Sequence, residues 1–324
     1  MFVFSFRFGI NIGPFSGEAA SLGETLQKSL ELAELEVVEL LFQDDQCDPK
    51  QAISAYNFLK NKGVAIFYTA CSGSTLALAP LAKEDGNLIV TAYAGSSEIR
   101  NTGDEVIRFV PDGLSIAEVI SSELRRENPE RTYGIFFEQQ DYARSVAQVM
   151  QDKLSNQVSV YEGYLTSNVS FRLQLLKFSD VDEIIIIPVD DKSLATIYEE
   201  LSELNLGKNI IGEVNVCDKS IKPQEYGLRG FCYKAQLHTE GFNVFMKKFV
   251  EVYGEEPQYP FYDSISYDVI KIIDKLVRVD YKEGLVPVLK DKLQGDVSGE
   301  VTDYSLSAEG EIVNVGEYLL KVEF

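Results

Sequence analysis

Short apolar runs alternate with amphipathic stretches over the first two thirds of the chain. This pattern is typical of βαβ units built around a parallel sheet. The run 184–187 is isoleucine at every position, as expected for a strand that helices cover on both faces. The first series of predicted strands covers 6–12, 37–43, 64–69, 88–91 and 106–109, with helices over 19–33, 49–60 and 75–83.

A second series of similar size follows the Pro111-Asp112-Gly113 segment, which has the residues of a crossover between domains. Two βα series predict an α/β protein of two lobes, each a doubly wound parallel sheet. The strands of this series are predicted at 132–137, 158–164, 183–188, 209–213 and 230–233, and its helices at 142–154, 170–178, 193–204 and 218–225.

The last third of the chain has a different pattern. Helical periodicity predicts helices over 239–253, 261–279 and 285–293. Two strand-like runs then cover 298–306 and 312–322, with Ala308-Glu309-Gly310-Glu311 between them. A glycine-containing connection of this length predicts a β-hairpin.

Composition and charge narrow the functional classes. The chain has 324 residues, of which 45% are hydrophobic, enough for two domains with a substantial core. The net charge of −21 argues against a nucleic-acid partner, because phosphate neutralisation requires a basic surface. No apolar run approaches the about 18 residues of a membrane-spanning helix. No glycine-rich phosphate loop occurs and His238 is the only histidine, so we expect no enzyme, no metal and no cofactor.

The cysteines report on the compartment. Cys47 and Cys71 each lie where a predicted strand meets a helix, and the carboxyl ends of parallel strands share one edge, so these two could bridge. Cys217 and Cys232 flank a predicted helix and fit either a second bridge or buried free thiols. An even cysteine count favours export. Residues 1–9 lack a basic start and a cleavage site and predict a strand, so either a signal was removed or the protein is cytosolic. We expect a periplasmic or extracellular location.

The opening Phe8-Gly9-Ile10-Asn11-Ile12-Gly13-Pro14-Phe15-Ser16-Gly17, followed by Ala20 and Gly23, resembles the leucine/isoleucine/valine-binding family of type I periplasmic binding proteins. The cysteine motifs resemble the disulfide-linked pair of that family. Further similar segments follow in the same order: Cys71-Ser72-Gly73-Ser74-Thr75, Ala94-Gly95-Ser96-Ser97-Glu98, Gln140-Asp141-Tyr142, Ser266-Tyr267-Asp268 and Ala308-Glu309-Gly310-Glu311.

The resemblance implies a type I fold of two lobes joined by three crossovers, with one lobe formed by 1–112 and 236–299 and the other by 113–235 and 300–324. It also implies a substrate-binding component of an ABC uptake system. Such a protein holds a small polar ligand, here an amino acid or a related carboxylate or amide, in the interlobe cleft and closes around it before docking on the permease. The alternative is a cytosolic amide or amino-acid sensor of the same fold that partners a regulator.

In the first lobe, the resemblance places a ligand carboxylate on Ser72 Oγ and the amides near Gly73, at the start of a predicted helix. The alternative role of Ser72 is a helix cap. Tyr93, Gly95 and Ser96 follow the fourth strand and are expected at the same edge. Gly95 would offer its backbone N–H, whereas the alternative for this segment is an ordinary turn.

In the second lobe, the resemblance assigns Tyr142 a ring that covers the ligand and a hydroxyl that contacts it. Asp190 and Glu213 would together form an acidic pole, which demands a cationic ligand group because an unpaired buried charge is costly. Tyr262, on the helix returning to the first lobe, would line the side-chain pocket. The alternatives are a core tyrosine at Tyr142 and solvated loop carboxylates at the two acidic positions.

Overall fold

The computed structural model describes residues 12–17, 19–189, 193–217, 228–234, 239–278 and 285–323. The chain divides into two compact units. The first unit comprises residues 1–112 and 235–314, and the second comprises 113–234 and 315–324. The chain therefore passes from one unit to the other after residues 112, 234 and 314.

The described helices follow the predicted series closely. Helix α2 begins at the predicted residue because Pro49 occupies its first position and the Asp48 carboxylate accepts the amides of Lys50 and Gln51, each at 2.9 Å. The α-helices are α1 (Ala20–Glu31), α2 (Pro49–Lys60), α3 (Ser72–Asp85), α4 (Gly113–Glu127), α5 (Asp141–Leu154), α6 (Arg172–Leu175), α7 (Leu194–Glu203), α8 (Glu240–Tyr253), α9 (Pro260–Val277) and α10 (Leu285–Lys292).

The strands are short, and most of them lie in parallel ladders. They are β1 (Ile12–Gly13), β2 (Gln43–Asp44), β3 (Ile66–Tyr68), β4 (Leu88–Thr91), β5 (Val106–Arg108), β6 (Tyr133–Glu138), β7 (Val158–Tyr164), β8 (Glu183–Ile187), β9 (Asn209–Gly212), β10 (Arg229–Tyr233), β11 (Gly295–Ser298), β12 (Asp303–Leu306) and β13 (Leu319–Glu323).

The first unit is built on parallel pairing. Strands β3, β4 and β5 lie side by side in that order, and β1 pairs in parallel with β2. A bridge between Ile12 and Thr69 connects the two ladders. Helices α2 and α3 cover the sheet over a core that includes Phe67, Leu78 and Ile89, all fully buried. The carboxyl ends of these strands therefore face one edge.

The second unit contains a six-stranded sheet in the order β13-β10-β9-β8-β6-β7. All neighbours pair in parallel except β13, which runs antiparallel to β10 at the edge. The isoleucine run of β8 is completely buried at the centre, as its composition predicts. The core on one face combines Ile184 and Ile186 with Phe136, Phe178 and Leu201.

Two predictions for the first half of the chain need correction. The strand predicted over 37–43 is confined to Gln43–Asp44, because the Val37 and Val38 amides donate to the Asp274 carboxylate at 2.9 Å instead of to a ladder. Helix α4 was not predicted, although its buried Ile116, Ile120 and Leu124 recur at helical spacing. The predicted helix 218–225 and most of the predicted strand 6–12 lie outside the described residues.

The predicted C-terminal hairpin is wrong. The turn over 308–311 forms, with the Ser307 amide donating to Glu311 O at 2.8 Å, but only the Leu306–Ile312 bridge follows it. The actual hairpin pairs β11 with β12, and β13 joins β10 in the second unit.

Residues 300–314, which the predicted lobe boundaries assign to the second lobe, lie in the first unit. The Glu300 amide and the Tyr304 hydroxyl donate to the Asp268 carboxylate of α9 at 2.5 and 2.8 Å. These bonds attach the segment to the first unit.

Both cysteine pairs are bridged. Cys47 and Cys71 have a Cα–Cα distance of 5.5 Å, and Cys217 and Cys232 one of 5.6 Å. Of the two alternatives for the second pair, the structure therefore contains the bridge and not the free thiols. The first bridge joins the loop after β2 to the start of α3.

A close backbone approach at Gly23 yields a stability prediction. A Cβ on Gly23 would come within 2.1 Å of the Pro14 carbonyl oxygen, which is backbone and cannot rotate away. We therefore expect Gly23→Ala to lower the free energy of unfolding by about 1–3 kcal/mol. Gly73→Ala is the matched control, since its Cβ would make an ordinary 3.6 Å contact with Pro49 Cγ. Urea denaturation compares the two, and equal stability of both variants would contradict the close approach.

Candidate functional site

Two of the predicted ligand residues of the first unit meet at the carboxyl edge of its sheet. The Ser96 amide donates to Ser72 Oγ at 3.2 Å. Ser72 follows β3 and Ser96 follows β4, so adjacent parallel strands bring them together. Ser72 is half-buried and Ser96 is buried.

The start of α3 determines what Ser72 does. Cys71 is the N-cap residue, with extended backbone and no side-chain cap bond, so the alternative that Ser72 caps this helix is wrong. Ser72 is instead the first helical residue, and Gly73 follows it in an exposed position. The first-turn amides of a helix have no intrahelical acceptor and favour an anion. Ser74 Oγ anchors this turn by donating to the buried Asp45 carboxylate at 2.5 Å.

The loop after β4 was considered either as an ordinary turn or as part of the ligand site. Ser96 Oγ accepts the Glu98 amide at 3.3 Å and caps the 3₁₀ helix Ser97–Asn101, which is the turn role. Its amide meanwhile points to Ser72. Gly95 is half-buried between Ala94 and Ser96. The ligand roles of Gly95 and Ser96 stay predictions.

Arg108 was not singled out from the sequence, yet it holds this loop. Its side chain is fully buried, and Nη1 donates to the carbonyl oxygens of Ala94 at 3.2 Å and Ser96 at 2.7 Å. Nε donates to Glu311 Oε2 at 2.9 Å, and Nη2 contacts the same oxygen. The sequence did contain one indication of this role, because Arg108 is a charged residue inside the predicted strand 106–109.

An aromatic cluster lies beside this loop in the first unit. The rings of Tyr93 and Tyr262 stack with centroids 5.1 Å apart, so these two predicted residues are brought together. The Tyr93 hydroxyl donates to Asp263 Oδ1 at 2.5 Å, and Thr25 Oγ1 donates to Oδ2 at 2.7 Å. Burial raises the pKa of Asp263 to about 7. The hydroxyl of Tyr93 is thus engaged within the protein, whereas both rings remain half-buried.

The second unit brings Tyr142 and Glu213 together. The Tyr142 hydroxyl donates to Glu213 Oε1 at 2.7 Å, and the Asn215 amide donates to Oε2 at 3.1 Å. Glu213 is completely buried, and burial raises its pKa to about 7 although these bonds oppose the rise. No lysine or arginine pairs with it in the described part of the chain. Glu213 is therefore not a solvated loop carboxylate.

A second carboxylate lies at the same sheet edge and was missed by the sequence reasoning. Glu138 ends β6, is 1% exposed, and accepts the Val189 amide at 2.9 Å and Gln140 Nε2 at 2.5 Å. These bonds attach Val189 and Gln140 to the end of β6. Asp190, the other member of the predicted acidic pole, lies outside the described residues.

One group of possible metal ligands occurs among the described residues. It consists of Asp45, Cys47 and Cys71. The two sulfur atoms are joined in the disulfide, and the Asp45 carboxylate accepts bonds from Ser74 and from the Cys47 amide. These donors are engaged with one another and do not present thiolates to an ion.

Comparison with known proteins finds curated relatives over part of the chain. No family model matches the chain. It is 26% identical over 182 residues to the leucine-, isoleucine-, valine-, threonine- and alanine-binding protein of Pseudomonas aeruginosa, and 26% identical over 159 residues to the Leu/Ile/Val-binding protein of Escherichia coli. The chain aligns with about half the length of these curated relatives, 48% and 42% respectively.

Solved structures match over nearly the whole chain. The branched-chain amino acid transporter substrate binding protein LivJ of Streptococcus pneumoniae, in complex with isoleucine, superposes with a TM-score of 0.79 at 17% identity and covers 98% of this chain and 99% of its own. A solute binding protein of an ABC transporter from R. palustris, in complex with benzoate, also gives 0.79 at 17% identity, with 98% and 95% covered. The chain therefore has the fold of the type I periplasmic binding proteins.

This result confirms the predicted resemblance and the predicted fold class. The named relatives are binding proteins. None of them is described as a cytosolic sensor. In the described ranges, no helix combines the length and apolar character that crossing a membrane requires.

The raised pKa of Glu213 predicts how stability depends on pH. Its folded-state pKa of about 7 exceeds the ordinary 4.5, so the folded protein keeps a proton that the unfolded chain releases. This contribution is complete below pH 4.5 and is lost as the pH rises through about 7. Glu213→Gln removes this titration. As the pH rises from about 4.5 to 8, we therefore expect the free energy of unfolding of the variant to increase by about 3 kcal/mol relative to that of wild type, at about 1.4 kcal/mol for each pKa unit.

Urea denaturation across this pH range measures the difference. The exposed Glu130→Gln, in the same unit, is the control and should run parallel to wild type. A Glu213→Gln curve that also runs parallel to wild type would contradict the buried, proton-holding carboxyl.

Proposed function

We propose that this chain is the substrate-binding component of an ABC uptake system and that its ligand is a small carboxylate with an ammonium group, an amino acid. The observation that carries the proposal is the buried Glu213 carboxyl, which has hydrogen-bond donors but no described cationic partner. An amino acid supplies both a cation for this group and an anion for the start of α3.

The first unit provides the donors for the ligand carboxylate. The first turn of α3 offers backbone amides, and Ser72 Oγ can donate its proton while it accepts the Ser96 amide. Asp45 and Ser74 fix the direction of this turn through their 2.5 Å hydrogen bond. A carboxylate bound here would be recognised largely by N–H groups that need no reorganisation.

The second unit provides an acceptor for the ligand ammonium. Burial without a cation keeps the Glu213 pKa near 7, whereas a neighbouring positive charge favours the ionised form. Tyr142 orients the carboxyl by donating to one of its oxygens. An ammonium group would therefore form an ion pair that Glu213 makes with no described lysine or arginine, and the protein would lose a proton as it binds.

The stacked rings of Tyr93 and Tyr262 favour an apolar ligand side chain in the first unit. They also support a second candidate class, the aromatic carboxylates, since one of the superposing proteins is a benzoate complex. An aromatic acid has no ammonium group, so Glu213 would have to stay protonated beside it. The two classes therefore predict opposite effects of pH.

Location and partner follow from the same proposal. Two bridged cysteine pairs are typical of an oxidising compartment, which supports a periplasmic or extracellular protein. A solute-binding protein in that compartment delivers its ligand to the membrane subunits of the permease, the partner that we propose.

Removal of the Ser72 hydroxyl should weaken ligand binding. We expect Ser72→Ala to cost about 1–3 kcal/mol of binding free energy, because the carboxylate and the Ser96 amide both lose a partner. Isothermal titration calorimetry with isoleucine and with benzoate measures this. Ser54→Ala is the control, since this exposed hydroxyl donates to the Lys50 carbonyl oxygen of its own helix at 3.1 Å. Affinity equal to wild type in Ser72→Ala would overturn the carboxylate assignment.

The pH dependence of affinity should separate the two ligand classes. Isoleucine binding requires ionised Glu213, so its affinity should fall by up to about tenfold for each pH unit below about 7. Benzoate binding requires the protonated form and should weaken as the pH rises above about 7. Titrations at several pH values measure the profiles, and Glu213→Gln should flatten either one. An unchanged profile in this variant would exclude Glu213 from the ligand site.

A further inference from the structure

We propose that Arg108 is a positioning residue for the ligand carboxylate: held by Glu311, its guanidinium fixes the 94–96 loop so that the Ser96 amide faces Ser72. This inference rests on the proposed function, because it concerns the geometry of the same site. The Arg108 guanidinium donates to Ala94, Ser96 and Glu311, so its proposed role is indirect.

The Arg108 guanidinium forms hydrogen bonds with two groups of acceptors. On one side, Nη1 reaches the carbonyl oxygens of Ala94 and Ser96 at 3.2 and 2.7 Å. On the other side, Nε and Nη2 both donate to Glu311 Oε2, with Nε at 2.9 Å. One fully buried side chain thus connects the loop to an anion that balances its charge.

Ser96 is held by all three of its polar groups. Its carbonyl oxygen accepts from Arg108, its hydroxyl accepts the Glu98 amide at 3.3 Å, and its amide donates to Ser72 at 3.2 Å. Arg108 therefore binds the peptide groups on both sides of the Gly95–Ser96 peptide that carries this amide, through the carbonyl oxygens of Ala94 and Ser96. The direction of the amide depends on the guanidinium.

Glu311 is itself held against β5. The Arg108 amide donates to the Gly310 carbonyl oxygen at 2.8 Å, so backbone and side chain of Arg108 both bind the 310–311 turn. Gly310 has φ of +78°, and a Cβ there would lie 2.6 Å from the Val106 carbonyl oxygen. Only glycine fits this approach, which places the Glu311 carboxylate beside Arg108.

A purely structural role accounts poorly for this choice of residues. Burying an ion pair costs several kcal/mol of desolvation for each ion, and apolar residues of similar volume often fill such a site with equal or greater stability. What an apolar pair cannot do is donate to two backbone carbonyl groups in a fixed direction. Lysine cannot reproduce the planar fork either. The Arg108–Glu311 pair is therefore explained better by a need to fix the conformation of the loop over 94–96.

The test compares Arg108→Lys, Arg108→Met and Glu311→Gln with wild type, using the full chain. Hydrogen–deuterium exchange of residues 94–97 reports on the loop without any ligand, and calorimetry with isoleucine and benzoate reports on the site. We expect both Arg108 variants to increase exchange over 94–97 by about tenfold or more while the neighbouring β4 stays protected, since local opening leaves the ladder intact. Binding should weaken by a similar factor, and Glu311→Gln should have a smaller effect of the same kind.

Arg278→Met is the ion-pair control, because Arg278 pairs with the buried Asp274 of the same unit at 2.8 Å and donates to neither Ala94 nor Ser96. It should change neither readout. Exchange over 94–97 that stays at the wild-type rate in Arg108→Met, or that rises equally in β4, would overturn the proposal. So would full protection in Arg108→Lys, which would show that charge alone suffices. If wild type binds neither probe, the proposed ligand classes fail, whereas the exchange comparison still decides the role of Arg108.

Discussion

Parallel strand pairing is the constraint on which the candidate site depends. When neighbouring strands run in the same direction, the loops after them leave the sheet at one edge, and residues far apart in sequence become hydrogen-bonding neighbours. In the first unit this places Ser72 after β3 and Ser96 after β4 within 3.2 Å of each other. In the second unit it places Glu138, at the end of β6, and Glu213, directly after β9, at the carboxyl edge of one sheet.

Several ionisable side chains near the candidate site are buried. Glu213 and Asp263 both have pKa values raised to about 7 by burial, and each is oriented by a tyrosine hydroxyl, Tyr142 and Tyr93 respectively. Arg108 is buried too, but Glu311 balances its charge. A carboxyl held near neutrality responds strongly to an approaching cation or anion, since small electrostatic changes then alter its protonation. This property would suit the proposed binding of small charged solutes.

Local sequence predicted most of the elements, and the failures have identifiable causes. Helix α2 was predicted to the residue because its start depends on Asp48 and Pro49, which are adjacent to it. The strand over 37–43 and the C-terminal hairpin failed because distant groups decided them. Asp274 captures the amides of Val37 and Val38, and β10 captures β13. Helix α4 was missed although its buried apolar residues recur at helical spacing.

By itself, the sequence determined the α/β class, the alternation of strands and helices, the cysteine pair at the strand ends and the resemblance to the type I binding proteins. These depend on hydrophobic periodicity and on motifs that are contiguous in the chain. Only the tertiary structure decided that Ser72 accepts an amide instead of capping α3, that the Tyr93 hydroxyl is engaged by Asp263, and that Arg108 binds the loop over 94–96. Hydrogen-bond partners and desolvation are set by residues that are distant in sequence, and no local pattern encodes them.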